Sequence, residues 1–204
     1  MIEVNLDKGI ADLRKLNADL SGQKFNRAVQ IGLNEGIRKA RTVMVREVIA
    51  QFNETAFTPS AVRKGLSIDS ARSSNLTAKL LVSGSPLPIR LFSARQTSKG
   101  VSVEIMKGKR KVIKSAFITK LGGKRGNHAM ARGKYESNQF SFRKKRINKT
   151  GPDVPISQLV SVGLPTAIHS EEVPILKRVG EQAEQHTTDR IVHAIERLAD
   201  GSIT

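Results

Sequence analysis

Residues 21–52 read SGQKFNRAVQIGLNEGIRKARTVMVREVIAQF, and the organisation of the chain follows from this stretch. Apolar and small side chains recur in it every four residues, which places them in two adjacent rows on one side of a helix. One row holds Phe25, Val29, Leu33 and Ile37, and the other holds Ala28, Gly32, Gly36, Ala40, Met44, Val48 and Phe52. The stretch therefore predicts one helix of about 46 Å with a wide buried face.

Two glycines lie inside this predicted buried face. Each costs about 1 kcal/mol relative to alanine in a helix interior, so close packing should compensate for them. With two alanines they form a candidate close-packing face of Ala28, Gly32, Gly36 and Ala40. A helix or strand of the same chain could pack there, or a second copy of the protein, and the sequence does not separate these alternatives.

Further helices are predicted on both sides of this stretch. Residues 3–20 have apolar residues at mostly helical spacing, and a short helix after residue 58 should stop at Gly65. The end of the chain predicts a second long helix, capped by Ser170, with Pro174 in its first turn and Gly201 closing it.

Between these helices the hydrophobic period changes to two. From Leu66 to Leu121, apolar and polar residues alternate in short runs separated by turn-forming segments, which predicts four to six antiparallel strands, one of them at Ile89–Leu91. We therefore expect an α+β fold in which long N-terminal and C-terminal helices pack on one face of an antiparallel sheet, within one domain of residues 1–204.

Residues 122–154 differ from the rest, because they carry many charges and few apolar residues in any period. Apart from one strand around Ala129–Ala131, we expect a basic loop or arm here, mobile over Lys134–Asp153.

The positive charge of the chain is concentrated in one segment. The net charge is +17, and residues 90–149 hold 18 Lys/Arg and 2 Asp/Glu, whereas residues 150–204 hold 4 and 8. Such a concentration indicates that the segment binds a polyanion or an acidic protein surface, or lines a channel that anions pass through. The remaining alternative is a solvated basic face with no partner.

Catalytic motifs are missing from the sequence. It contains no GxSxG, no HExxH and no phosphate-binding loop, since GGKRGN lacks the required spacing and hydroxyl residue. His186, Asp189 and His193 have offsets that could ligate a metal on a helix, but such residues are far more often solvent-exposed. We therefore expect no enzyme activity, no cofactor and no metal.

The basic segment supplies candidate residues for contact with DNA or a partner protein. They occur in the runs KGKRK, GKRG and FRKKR and beside them: Lys107, Lys109, Arg110, Lys111, Lys124, Arg125, Arg132, Arg143, Lys144, Lys145 and Arg146. Few aromatic residues accompany these cations, so phosphate contact is favoured over base stacking.

Composition also bears on the compartment. Cysteine is absent, and no stretch approaches the roughly 20 apolar residues that span a bilayer. The N-terminus lacks the apolar core of a signal peptide. We expect a protein made in the cytoplasm with no membrane partner.

Residues 86–118, PLPIRLFSARQTSKGVSVEIMKGKRKVIKSAFI, followed by NHAMARGK and VPISQLVSVGLPTAI, resemble the minor tail protein Z family of long-tailed bacteriophages and their prophages. The residues similar to the family's central block are Leu91, Phe92, Ala94, Arg95, Gln96, Lys99, Gly100, Val101, the following Lys/Arg-Gly turn, Ala116, Phe117 and Ile118.

The resemblance implies a structural virion protein that acts in tail completion near the head-proximal end or neck. As a homo-oligomeric ring it would contact other tail or neck proteins, and DNA passing through the tail is a further candidate partner. A basic protein that binds the nucleic-acid backbone is the main alternative, ahead of an enzyme or regulator.

Overall fold

A computed structural model describes residues 2–3, 22–120, 127–132, 140–142 and 156–199. The chain divides into two compact units. The first unit comprises Met1–Val48, Pro59–Ser83 and Ile168–Thr204, and the second comprises Ile49–Thr58 and Gly84–Ala167. Of the predicted helix within residues 3–20, only Glu3 lies in the described part of the chain, where it belongs to a short strand.

The predicted long helix is present as α1, Gly22–Gln51. Both predicted rows are buried from Phe25 to Val48, because a period of four residues keeps them on one side of a helix of 30 residues. The opposite, polar side binds a loop of the same unit. The Asn34 amide accepts from Ala71 N at 2.8 Å and donates to Ala71 O at 3.1 Å, and Gln30 donates to the same carbonyl.

The first unit also contains a short helix and a small sheet. Helix α2, Pro59–Lys64, ends before Gly65 as predicted. Strands β1 (Ile2–Glu3), β2 (Leu66–Asp69) and β3 (Lys79–Val82) form an antiparallel sheet in the order β1-β3-β2. Leu66 and Leu80 are buried within this unit.

The second long helix, α4, spans Ile175–Ala199 and follows a short helix α3, Leu164–Ile168. The predicted start of α4 was wrong. Val173 N bonds to Ser170 O, and Pro174 O accepts from Arg178 N as the residue before the helix. Thus a turn occupies the region where we placed the first helical turn, and the predicted stop at Gly201 lies outside the described residues.

Seven strands among the described residues of the second unit form two sheets. One sheet has the order β4-β5-β6, with β4 at Arg95–Thr97, β5 at Gly100–Met106 and β6 at Lys109–Lys114. The other has the order β7-β8-β10-β9, and its strands are Ala116–Lys120 (β7), Asn127–Arg132 (β8), Phe140–Phe142 (β9) and Ile156–Gln158 (β10). Ser115, with φ +59°, separates β6 from β7, so the chain changes sheet there.

Two local predictions in this unit were wrong. Ile89–Leu91 is a 3-10 turn, since Leu91 N bonds to Pro88 O and Phe92 N bonds to Ile89 O. Phe140–Phe142, placed in a mobile arm, form β9 through pairing with β10. Strand β8 coincides with the strand predicted around Ala129–Ala131. The other residues of the predicted basic arm, 122–154, lie outside the described part of the chain.

The α+β class is confirmed, with long helices near both ends and antiparallel strands between them. The strands belong to three small sheets among the described residues. In the same part of the chain, no helix is both long and apolar enough to cross a membrane.

Candidate basic interface

The segment that carries the basic residues begins with a hairpin built by TSKG, residues 97–100. Thr97 pairs with Gly100, and its Oγ1 donates to Gly100 O at 2.8 Å. Gly100 has φ +143°, a conformation that residues with a Cβ rarely adopt. This two-residue connection therefore aligns β4 with β5.

Strand β5 anchors the sheet in the core of the second unit. Val101 and Val103 are buried, while Ser102 and Glu104 alternate with them. Phe92, fully buried nearby in the chain, makes an edge-to-face contact with Phe57 at 6.0 Å, and Phe57 meets Phe52 at 5.5 Å. Strand β5 therefore holds the sheet against the core, and the following strand, β6, lies at the edge of the sheet.

That marginal strand, β6, is the basic one. Among the described strands it pairs only with β5, so it is an edge of its sheet. Its side chains are exposed except for half-buried Ile113, and four of its six residues are cations: Lys109, Arg110, Lys111 and Lys114. An edge strand also presents backbone N–H and C=O groups that its sheet does not use.

Arg110 differs from the other cations because its guanidinium is held inside the hairpin. It donates to Glu104 Oε2 at 3.0 Å, to Ser93 O at 2.8 Å and to Ser102 Oγ at 3.2 Å. Ser93 has φ +48° and receives a hydrogen bond from Asn53 Nδ2 on its Oγ at 3.0 Å. Arg110 therefore positions the hairpin and contributes less free charge than its lysine neighbours.

Three lysines of β6 remain open to a partner. Lys109, Lys111 and Lys114 are exposed and make no ion pair with a described residue, whereas Lys107 in the turn lies 3.6 Å from Glu54. Val112 lies among them with 47% of its surface exposed. We name the exposed set Lys109, Lys111, Val112 and Lys114 the basic edge.

The structure brings together only part of the predicted basic surface. Lys107, Lys109, Arg110 and Lys111 share one hairpin. Arg132 belongs to β8, but its side chain is not described. The predicted residues Lys124, Arg125, Arg143, Lys144, Lys145 and Arg146 lie outside the described residues.

Lys114 was missed by the sequence analysis. Lys114 lies outside the run KGKRK, and the candidates were chosen from runs of neighbouring cations and not from the whole strand. Strand β6 continues beyond this run as far as Lys114, which pairs with Gly100. Extending the predicted strand to the next turn would have found it.

The candidate close-packing face lies between α1 and α4 in the first unit. Ala28 and Ala40 are buried, and Gly32 and Gly36 face Ile191 and Thr187 of α4. A Cβ on Gly32 would lie 3.0 Å from Ile191 N. A helix of the same chain therefore packs against the two glycines, which is the first of the two alternatives given by the sequence.

Ion pairs join the same two helices along their margins. Glu35 accepts a hydrogen bond from Arg190, which is the main reason that the pKa of Glu35 lies below its ordinary value. Arg178 Nη1 donates to Glu47 Oε2 at 3.2 Å. Two of the three arginines of α4 are thus neutralised by carboxylates of α1.

No metal centre emerges from the described residues. His186, Asp189 and His193 of α4 do not converge as a group of metal-ligating side chains, and no other three such residues do so within the described part. An open polar cleft of 540 Å³ is lined by Gln23, Asn26, Arg27, Gln30 and Ser73. The described residues of this lining include no acid–base pair.

No protein-family model, curated protein or solved structure matches this chain.

Proposed function

We propose that this chain is a structural protein of a bacteriophage tail or neck, which acts in tail completion and head–tail joining as a subunit of an oligomeric ring. It is made in the host cytoplasm and becomes part of the virion tail. It works by binding partners and not as an enzyme.

The basic edge is the observation that carries the proposal. An edge strand with three exposed lysines suits a subunit that must contact an acidic protein surface or lie along a passage for DNA. The stretch that resembles the tail-protein family, residues 86–118, includes this strand and the two that precede it. The resemblance and the exposed charge therefore point to the same part of the molecule.

The test is to remove the gene from the phage or prophage that carries it and to complement with variants in trans. We expect the knock-out to yield separate heads and tails by electron microscopy and few infectious particles. Complementation with K109E/K111E/K114E should fail, because it reverses the basic edge without changing a buried side chain. Normal infectious particles from the knock-out would refute the proposal.

The matched control is K24E/K39E/K64E, which changes the net charge equally at three exposed lysines of the first unit. It should restore infectivity if the position of the charge matters. Equal failure of both triple variants, with both proteins folded, would show that total charge and not the basic edge is required.

The same edge also favours a second candidate, a protein that binds the phosphate backbone of nucleic acid. Each lysine that contacts a phosphate displaces a counterion from the DNA. A plot of the logarithm of the binding constant against the logarithm of the salt concentration therefore falls with a slope of about 0.9 per phosphate contacted. A steep slope that K109E/K111E/K114E reduces by about 3, together with a knock-out that assembles normally, would favour this candidate over the structural one.

A further inference from the structure

The outer face of α4 carries unpaired carboxylates because α1 neutralises two of its arginines. Arg190 is held by Glu35, and Arg178 is held by Glu47. Within the described residues, Glu181, Glu184 and Asp189 make no ion pair and are exposed. The remaining cations at exposed positions, Lys177 and Arg197, lie beyond the two ends of this stretch.

These carboxylates share one side of the helix with an apolar residue. A rotation of 100° per residue places Glu181, Asp189 and Val192 on the side opposite to buried Ala183 and Ala194. Glu184 is exposed about 60° to one side of Glu181, next to the direction of buried Ile195. Val192 has 38% of its surface exposed. We name Glu181, Glu184, Asp189 and Val192 the acidic face.

The acidic face and the basic edge are complementary in charge and in length. Each has three unpaired charges and one exposed valine. Lys109 to Lys114 covers about 17 Å along a strand, and Glu181 to Val192 covers about 16 Å along a helix. Carboxylates accept hydrogen bonds, so they also suit the N–H groups that an edge strand leaves unpaired.

We propose that the acidic face of one copy of this chain docks on the basic edge of the next copy. Two different surfaces then form each contact, and repeating such a heterologous contact closes a ring when the rotation per subunit allows it. The proposal rests on the proposed ring and names the surfaces that join its subunits. DNA fits the basic edge less well, since a phosphate backbone offers no apolar side chain to Val112.

Charge exchange between the two surfaces tests the contact. The variants K109E/K111E/K114E and E181K/E184K/D189K each place like charges on both sides and should lose the oligomer seen for the wild type by light scattering. Mixing these two variants restores opposite charges at every alternating contact, and the six-fold variant restores them within one chain. Both should recover the oligomer, and circular dichroism checks that all variants are folded.

Failure of recovery in both the mixture and the six-fold variant would overturn the proposed contact. So would a full-strength oligomer from either triple variant alone. A basic edge that binds DNA predicts the opposite pattern, in which the α4 variant assembles normally and no exchange of charges rescues the edge variant.

A cross-link tests the same contact inside tail particles, where the ring assembles even if the isolated chain does not. The chain has no cysteine, so V112C and V192C each introduce a single thiol. Particles that contain both variants should give a covalent dimer with a short bismaleimide. The controls are particles with either variant alone and particles in which S98C, at an exposed position in the turn between β4 and β5, replaces V112C.

Absence of the V112C–V192C dimer from assembled tails would refute the contact and leave the tail function standing. A knock-out that assembles normally would instead refute the tail function, whatever the cross-link shows.

Discussion

Gly36 of α1 lies directly against Thr187 of α4, and a Cβ added to Gly36 would lie 2.9 Å from the Thr187 Cβ. The Thr187 hydroxyl is buried and donates to Ala183 O at 2.7 Å, so this side chain has little room to turn. The helices approach at this point only because residue 36 has no side chain.

Gly36→Ala should therefore destabilise the protein although alanine is the better helix former. Overpacking costs about 1–3 kcal/mol, which exceeds the gain of about 1 kcal/mol in helix propensity. Gly180→Ala is the matched control, since a Cβ there meets nothing within 4 Å and should stabilise the protein by up to about 1 kcal/mol. Urea denaturation measures both, and a stabilised Gly36→Ala would show that the two helices are free to separate.

The pair Glu35–Arg190 should give a small, pH-dependent stabilisation. Since the hydrogen bond from Arg190 lowers the pKa of Glu35 below 4.5, the folded state favours the ionised carboxylate. The stabilisation is complete above pH 4.5 and disappears as the pH falls through the lowered pKa of the folded state. Because both side chains are partly exposed, solvent screens the pair and the stabilisation stays small.

Comparison of the wild type with Glu35→Gln between pH 3 and pH 7 checks this expectation. The difference in the free energy of unfolding should be largest at neutral pH, shrink below pH 4.5 and decrease in 1 M salt. Glu171→Gln, at an exposed position outside the acidic face and without an ion pair to a described residue, should show almost no difference from the wild type. A difference for Glu35→Gln that grows on acidification would contradict the assigned pair.

The sequence predicted the elements whose residues interact locally. The rows of α1 repeat every four residues over many turns, so no other regular structure could bury them together. Ile89–Leu91 alternates like a strand over only three residues, and the preceding Pro88 supplies the carbonyl that closes a turn. Such a short pattern cannot separate the two structures.

The features that the sequence could not predict depend on pairing across the chain. Phe140–Phe142 forms a strand only because it pairs with β10. From the sequence, Asn34 is an exposed polar residue of a helix, and only the structure shows its hydrogen bond to Ala71. At the basic edge, KGKRK revealed the charge, but the edge position of β6 follows from the sheet order. Periodicity carries no information on which strand is outermost.

Gly100→Ala should disrupt the β4–β5 hairpin. Residue 100 has φ +143°, and a Cβ there would lie 2.9 Å from the Ile113 carbonyl carbon, so both backbone strain and a clash oppose the substitution. We expect a loss of at least about 2 kcal/mol and faster hydrogen exchange in β5. Gly108→Ala separates the two causes, because Gly108 has φ +72° with nothing within 4 Å of an added Cβ. It should cost about 1 kcal/mol, and equal losses for both variants would exclude the clash.

Arg110→Lys tests whether Arg110 holds the hairpin or serves as one more surface charge. Lysine keeps the charge but cannot reproduce the planar set of bonds to Ser93 O, Ser102 Oγ and Glu104 Oε2. We expect a loss of about 1–2 kcal/mol and faster hydrogen exchange of β5 and β6 amides. Lys111→Arg, the reverse change one residue away on an exposed side chain, should leave exchange unchanged. Equal rates of amide hydrogen exchange in the two variants would show that Arg110 is one more surface charge of the basic edge. The position of β6 would then depend on its backbone pairing with β5 alone.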